Sequence, residues 1–387
     1  MTFRMLTFAF WFSAAGIAYA YIGYPIILAL LAWFFGCAKK PPTIAEGELP
    51  HVALVIAAHN EADVIAARVQ NALDLDYPSD RLDIVIASDG SSDDTVAIAR
   101  RVGGHRVRVL DYESRRGKAE VLNSAFQELR SGIVVLSDAN TFTDASAIRR
   151  LVRWFKDQRV GIVCGKLVLT DPRTGQNVDS LYWKYETFLK ICEDRLGSLL
   201  GANGAIYAIR RSLFTAIRRD TLIDDFVLPL LTRMRTGCAL VYDREAIACE
   251  ETPARISAEF RRRSRIGAGA FQSIPVLWRL LNPRQGWIAF TFLSHKILRW
   301  ACPFFLLALL ACNIALIPAG AVYQRLLVLQ IALYAISAAG GLWRDGADVP
   351  RALRLTTLFA TMNVALLVGF WWWMAGVRQG TWTRTAR

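Results

Sequence analysis

Ile133-Val-Val-Leu-Ser-Asp-Ala-Asn140 is the stretch on which the reading of the fold turns. Its four leading apolar residues, three of them β-branched, make a short buried strand. The strand runs directly into Ser137, Asp138 and Asn140. In an open parallel sheet, ligands bind beyond the carboxyl ends of the strands. A carboxylate there, with a second oxygen ligand two residues on, suits a hard cation such as Mg²⁺ or Mn²⁺ that also holds phosphates. Asp and Asn are equally good helix caps, so on these residues alone a plain solvated strand end stays open.

The residues upstream repeat the pattern. Val52 to Ala58 reads as a buried strand, followed by His59-Asn60-Glu61-Ala62-Asp63 and a helical pattern from Val64 to Leu73. Leu82 to Ser88 is a second strand, ending in Asp89-Gly90-Ser91-Ser92-Asp93-Asp94-Thr95 before helix resumes over Val96 to Val102. Arg106 to Leu110 is a third strand, and Arg116-Gly117-Lys118 opens the helix that leads to Ile133. Strand alternating with helix predicts an α/β domain with a mostly parallel sheet. Asp89 stands where a base or ribose is hydrogen-bonded, and Gly90 permits close backbone approach. Ser91, Ser92 and Asp93 also make a good helix N-cap. Lys118 follows a glycine at a helix start, where N–H groups and a cation favour a phosphate. Neither G-x-x-x-x-G-K-[ST] nor a strand followed by G-x-G-x-x-G is present, which argues against a P-loop or dinucleotide fold.

The totals narrow the class. The chain has 387 residues, 54% of them hydrophobic and 20% charged, with a formal net charge of +13. Such a charge suits an anionic membrane surface or phosphate-bearing substrates. No zinc spacing, RNA-binding signature or helix-turn-helix pattern accompanies it, so nucleic acid is not an expected partner. The seven cysteines are dispersed, with no C-x-x-C pair, which suits reduced thiols facing a cytosol.

Taken together, Asn60-Glu61, Ser88-Asp89-Gly90-Ser91, Gly117-Lys118-Ala119 with Asn123, and Asp138-Ala139-Asn140 resemble the inverting family 2 glycosyltransferases of GT-A fold. Gly201-Ala-Asn-Gly-Ala-Ile-Tyr-Ala-Ile-Arg210 resembles their small-residue acceptor strand, and Asp224-Asp225-Phe-Val-Leu228 their acidic pair. Arg262-Arg263-Ser264-Arg265-Ile266 falls where processive members carry Q-x-x-R-W. The resemblance spans roughly residues 50–275 and extends to membrane-anchored cellulose, chitin-oligosaccharide, hyaluronan and poly-N-acetylglucosamine synthases.

That resemblance implies a UDP-sugar donor and a saccharide or lipid-linked acceptor, in cell-surface polysaccharide synthesis at a bacterial inner membrane. It implies Asn60, Glu61, Asp89, Gly90 and Lys118 at the nucleotide sugar. Asp138 and Asn140 would hold Mg²⁺ or Mn²⁺ on the diphosphate, with Asn140 replacing the second acid of the family's D-x-D. Asp225 would be the general base, its pKa raised by the like charge of Asp224. Gly201, Asn203 and Gly204 fall at the acceptor, with Tyr182 and Trp183 as an aromatic platform. Arg262 and Arg265 either grip the diphosphate or lie on anionic headgroups. Ile266 and Arg262 depart from Q-x-x-R-W, which leaves processivity open. Two other readings remain: single-sugar transfer to a polyprenyl-phosphate or sphingoid lipid, and an inactive scaffold with export or synthase partner proteins.

The ends of the chain carry the membrane expectation. Leu6 to Gly36 is apolar without charge, long enough to span a bilayer, and Lys39-Lys40 after it place the next domain in the cytoplasm. The domain plan is a transmembrane helix over residues 1–38, a glycosyltransferase domain over 50–275, an interfacial helix over 286–297, and about three further spans over 298–377. A basic tail over 378–387 ends the chain. Three spans would leave that tail outside, against the positive-inside tendency, unless one is re-entrant.

Overall fold

The β-branched runs become strands. A computed structural model describes residues 2–170, 181–251, 256–341 and 351–376. The strands are β1 (Val52–Ala58), β2 (Leu82–Asp89), β3 (Val107–Tyr112), β4 (Ile133–Asp138), β5 (Thr141–Thr143), β6 (Val160–Thr170), β7 (Tyr207–Arg210) and β8 (Ala239–Glu251). They form one eight-stranded sheet in the order β3-β2-β1-β4-β7-β6-β8-β5. β1 is parallel to both β2 and β4, and β2 to β3. β7 enters antiparallel between β4 and β6, while β6 and β8 run parallel. The sheet is thus mixed and mostly parallel.

The parallel half is apolar on both faces because helices cover both. Every residue of β1 is buried, and Ile65, Val69 and Ala72 of the helix Ala62–Leu73 close over it in the core. In parallel βαβ order the carboxyl ends of β1, β2 and β4 share one edge. Ala57 pairs with Ala87 on one side and Asp138 on the other, and Ala58 with Ser88, which sets Asp89 and Asp138 at that edge.

The chain divides into two compact units. One comprises Leu28–Ala258 and Gln272–Thr291, and holds the sheet. The other comprises Met1–Ile27, Glu259–Phe271 and Phe292–Val377, and is helical. Among the described residues, four helices are long and apolar enough to cross a membrane by length and composition: Phe3–Phe34, Trp287–Ala315, Ala321–Gly340 and Leu355–Met374. The interfacial segment expected over 286–297 runs on without a break into the helix Leu298–Ala315, through a π-helical turn at Phe292–Ile297. In the helical unit, Gly369 packs so closely that a Cβ would lie 2.6 Å from Ser264 O and Ala268 N. The basic tail, and residues 344–350 of the basic loop expected before the last span, lie outside the described residues.

Candidate active site

Four charged side chains expected from the sequence meet at the carboxyl end of β4. Lys118 Nζ lies 2.7 Å from Asp138 Oδ1 and 3.3 Å from Asp224 Oδ2. Asp225 Oδ2 accepts the Gly204 N–H at 3.0 Å. Gly204 sits between the acids: a Cβ there would lie 3.3 Å from Asp138 Oδ2 and 3.5 Å from Asp225 Oδ2. Lys118 opens the helix Lys118–Glu128, and Asp224 and Asp225 open the helix Asp224–Thr236, where the helix dipole favours carboxylates.

Electrostatics follow from this crowding. Burial alone would push the Lys118 ammonium down, but Asp138 and Asp224 hold it well above its ordinary value. Burial pushes the Asp225 carboxyl up, and Asp224 pushes it further in the same direction, against Lys118. A carboxyl so raised, and still partly accessible to solvent, is poised to take a proton.

The loop before the Asp224 helix is shaped by the same acids. Ala202 N–H donates to Asp225 O at 2.9 Å. Gly201 takes φ +81°, and a Cβ there would stand 3.0 Å from the Phe226 ring. Asn203 turns away to the protein: its Nδ2 donates to Gly165 O at 3.0 Å, and its Oδ1 accepts from Lys190. Tyr182 and Trp183 lie on the helix Leu181–Arg195, edge to face with centroids 5.7 Å apart.

The first two strand ends are engaged mainly with each other. Asp89 is fully buried, and its carboxylate accepts N–H groups of Arg116 at 2.6 Å and of Gly117 at 3.0 Å. Through these bonds Asp89 ties down the turn that presents Lys118. Gly90 serves the same turn: at φ +60°, a Cβ would lie 2.6 Å from Arg115 N. Asn60, at φ +54°, accepts Ser92 N–H at 2.8 Å, and Glu61 N–H donates to Thr95 Oγ1 at 2.8 Å. Asp93 accepts Thr95 N–H at 3.0 Å, while the cap position itself falls on Asp94, whose side chain makes no cap bond, rather than on Ser91, Ser92 or Asp93. Arg262 and Arg265 lie on the helix Ile256–Leu277, in its stretch belonging to the helical unit.

Three residues escaped the sequence reading. Arg68 is fully buried behind Asp138: its Nη2 donates to Ser137 Oγ at 3.2 Å and its Nη1 to Asn71 Oδ1 at 3.0 Å. Burial pushes its guanidinium down to about 10, and Asp138 works against that. Its signal was available, since Arg68 occupies an apolar position of the Ile65, Val69, Ala72 stripe. Tyr207 is buried with a hydroxyl that has no hydrogen-bond partner among the described residues, and burial together with Asp224, Asp225 and Asp138 pushes it well above its ordinary value. Glu250, on β8, accepts the Asn140 amide at 2.9 Å. Nothing in the sequence marks it.

The chemistry of this set fits a divalent cation bound with a diphosphate. The two carboxylates already draw an ammonium between them. Asp138 and Asn140 offer a carboxylate and an amide oxygen, and no group of three or more His, Cys, Asp or Glu gathers around a metal position among the described residues. Mg²⁺ and similar ions take one or two protein oxygens and leave the rest to phosphates and water.

The comparisons agree with the geometry. The chain belongs to glycosyl transferase family 2, whose model matches residues 53–249. It is 30% identical over 192 residues to the poly-beta-1,6-N-acetyl-D-glucosamine synthase of Staphylococcus aureus (strain MSSA476), a match covering 48% of this chain and 44% of that synthase. It is 27% identical over 242 residues to the probable glycosyltransferase YdaM of Bacillus subtilis (strain 168), covering 57% and 56% of the two chains. These matches thus span about half the length of the curated relatives. The fold resembles the mannosyltransferase PcManGT from Pyrobaculum calidifontis, solved with GDP-Man and Mn²⁺, with a TM-score of 0.71, 23% identity, and coverage of 95% of this chain and 99% of that one. The protein is a family 2 glycosyltransferase of GT-A fold with candidate membrane spans.

Proposed function

We propose that this enzyme transfers a sugar, with inversion, from a UDP-sugar to a saccharide or lipid-linked acceptor for a cell-surface polysaccharide. It works at a bacterial inner membrane with the sheet-bearing unit in the cytoplasm. The observation that carries this reading is the meeting of Lys118, Asp138, Asp224 and Asp225 around Gly204. Asp225 takes the proton of the acceptor hydroxyl, and its raised pKa matches that task. One base and no covalent nucleophile is the requirement of an inverting displacement.

Asp138 and Asn140 hold Mg²⁺ or Mn²⁺, which when bound neutralises charge on the departing diphosphate. Lys118 adds a second cation and moves from its two carboxylates to the phosphates as donor arrives. Asn60, Glu61 and the Asp89–Gly90 turn shape the nucleotide end. The Gly201–Gly204 loop, with Tyr182 and Trp183, borders the acceptor. Arg262 and Arg265 supply cations for the diphosphate or for anionic headgroups. The relatives support N-acetylhexosamine as the transferred sugar, and the mannosyltransferase keeps GDP-mannose in the panel.

The test is nucleoside diphosphate release by the detergent-solubilised protein, with UDP- and GDP-sugars and Mg²⁺ or Mn²⁺, beside Asp225→Asn. Turnover with one UDP-sugar, abolished in the variant and without metal, is the expected result. Turnover restricted to GDP-mannose would replace the donor. Binding of no donor at all would turn the reading towards a scaffold with partner proteins.

A further inference from the structure

Asn140 is an unusual choice for a cation site, because an amide brings an oxygen but no charge, and its nitrogen end repels a metal ion. The sheet answers both problems from a distant part of the chain. β5 pairs antiparallel with β8, and Thr141 stands opposite Glu250. On its other side β8 pairs with β6, where Leu169 stands opposite the same Glu250. Glu250 is therefore fixed by two ladders beside the turn that carries Asn140. Asn140 Nδ2 donates to Glu250 Oε1 at 2.9 Å. An ionised carboxylate only accepts hydrogen bonds, so this contact decides which end of the amide faces Glu250. The Asn140 oxygen is the end left over, and among the described residues nothing donates to it.

We propose that Glu250 is the positioning residue of the cation site. It holds the Asn140 amide with its oxygen available to the divalent cation. It also places, one bond further out, the negative charge that an aspartate at position 140 would have carried. The inference rests on the proposed cation site at Asp138 and Asn140 and deepens it. A carboxylate accepting from a metal ligand's N–H makes that ligand a stronger donor, as outer-shell carboxylates do for histidine ligands. The arrangement has a consequence that a mere structural staple lacks. Restoring the common acid with Asn140→Asp sets two carboxylates against each other where one hydrogen bond stood, so the change weakens the site unless Glu250 is neutralised with it.

The experiment is Mn²⁺ binding by the full chain in detergent, read as loss of the free-ion EPR signal with UDP present, for wild type, Glu250→Gln, Asn140→Asp and the double variant. Thermal melting without metal checks that each folds. Glu250→Gln should weaken Mn²⁺ binding about 10- to 100-fold, the usual cost of an outer-shell partner. Asn140→Asp should bind no better than wild type. The double variant, again one acid and one amide in contact, should recover to within a few-fold of wild type. Tighter binding by Asn140→Asp with Glu250 intact would overturn the proposal, as would wild-type affinity in Glu250→Gln. If Glu250→Gln does not fold, the Asn140→Asp and double-variant pair still decides. Wild type that binds no Mn²⁺, matched by Asp138→Ala, would bring down the cation site itself rather than Glu250's part in it.

Discussion

The two halves of the sheet do different work. In the parallel half, β3-β2-β1-β4, the polar residues at the strand ends mostly bond to one another: Asp89 to Arg116 and Gly117, Asn60 to Ser92, Asp93 to Thr95. In the other half, β7 and β8 and the segments leading into them bring Gly204, the Asp224–Asp225 pair and Glu250 against residues of β4 and its turn. The first half builds a rigid ledge and the second half delivers chemistry to it. A strand end crowded with good ligand residues is thus no guarantee of ligand contact, since backbone N–H groups compete for the same oxygens.

Substitutions in each half should separate the two roles. The largest effect should come from Asp225→Asn, which keeps the shape and removes the proposed base. Turnover should fall about 10²- to 10⁴-fold with donor affinity little changed, and steady-state kinetics with a parallel UDP-binding measurement check this. Gly204→Ala comes next. Its Cβ would crowd Asp138 Oδ2 at 3.3 Å, which must give by a few tenths of an ångström, and would touch Asp225 Oδ2 at 3.5 Å. A misplacement on the order of 1 Å costs about 10²-fold in rate, so this smaller shift should cost roughly 10-fold or less, while the melting temperature should hold.

In the ledge the signature should reverse. Asp89→Ala strands the N–H groups of Arg116 and Gly117, which should cost about 1–3 kcal/mol of stability. Turnover in that variant should fall only as far as the Lys118 turn loosens, and chemical denaturation beside kinetics separates the two. The smallest effect is in pH dependence. Burial and then Asp224 raise the Asp225 pKa, so below that value the base is protonated and activity falls with falling pH. Asp224→Asn removes the like charge and should move this acid limb to lower pH, read from kcat/KM across pH. An unmoved limb would assign the titration to another group.

Much of this was legible from residues alone. The strands β1 to β4 follow from β-branched runs with polar ends, and their parallel order follows from the intervening helices. Asp138 stood out because it ends an apolar run, Lys118 because it follows a glycine at a helix start, and Asp224 and Asp225 through their resemblance to the family's acidic pair. The antiparallel insertion of β7 between β4 and β6 was not legible, because four residues of Tyr207–Arg210 carry no signal of their pairing partner. That Asp89 holds the N–H groups of Arg116 and Gly117 was not legible, because it depends on where residues 114–117 fold.

The helical unit adds a second instance. The four candidate spans contain no Asp or Glu, which composition alone establishes. That Asn363 donates to the Tyr21 hydroxyl at 3.1 Å depends on how separate helices pack.

Local sequence determined the elements, the apolar spans and the inventory of charged groups, because periodicity, propensity and charge act over a few neighbours. Only the tertiary structure decided which charges meet. Lys118 and Asp224, each at the start of a helix, are far apart in the chain, as are Asn140 and Glu250, whose contact follows from the register of β5 on β8. A register shift of one residue turns every side chain on a strand to the opposite face, so the pairing of distant strands decides contacts that no local pattern encodes.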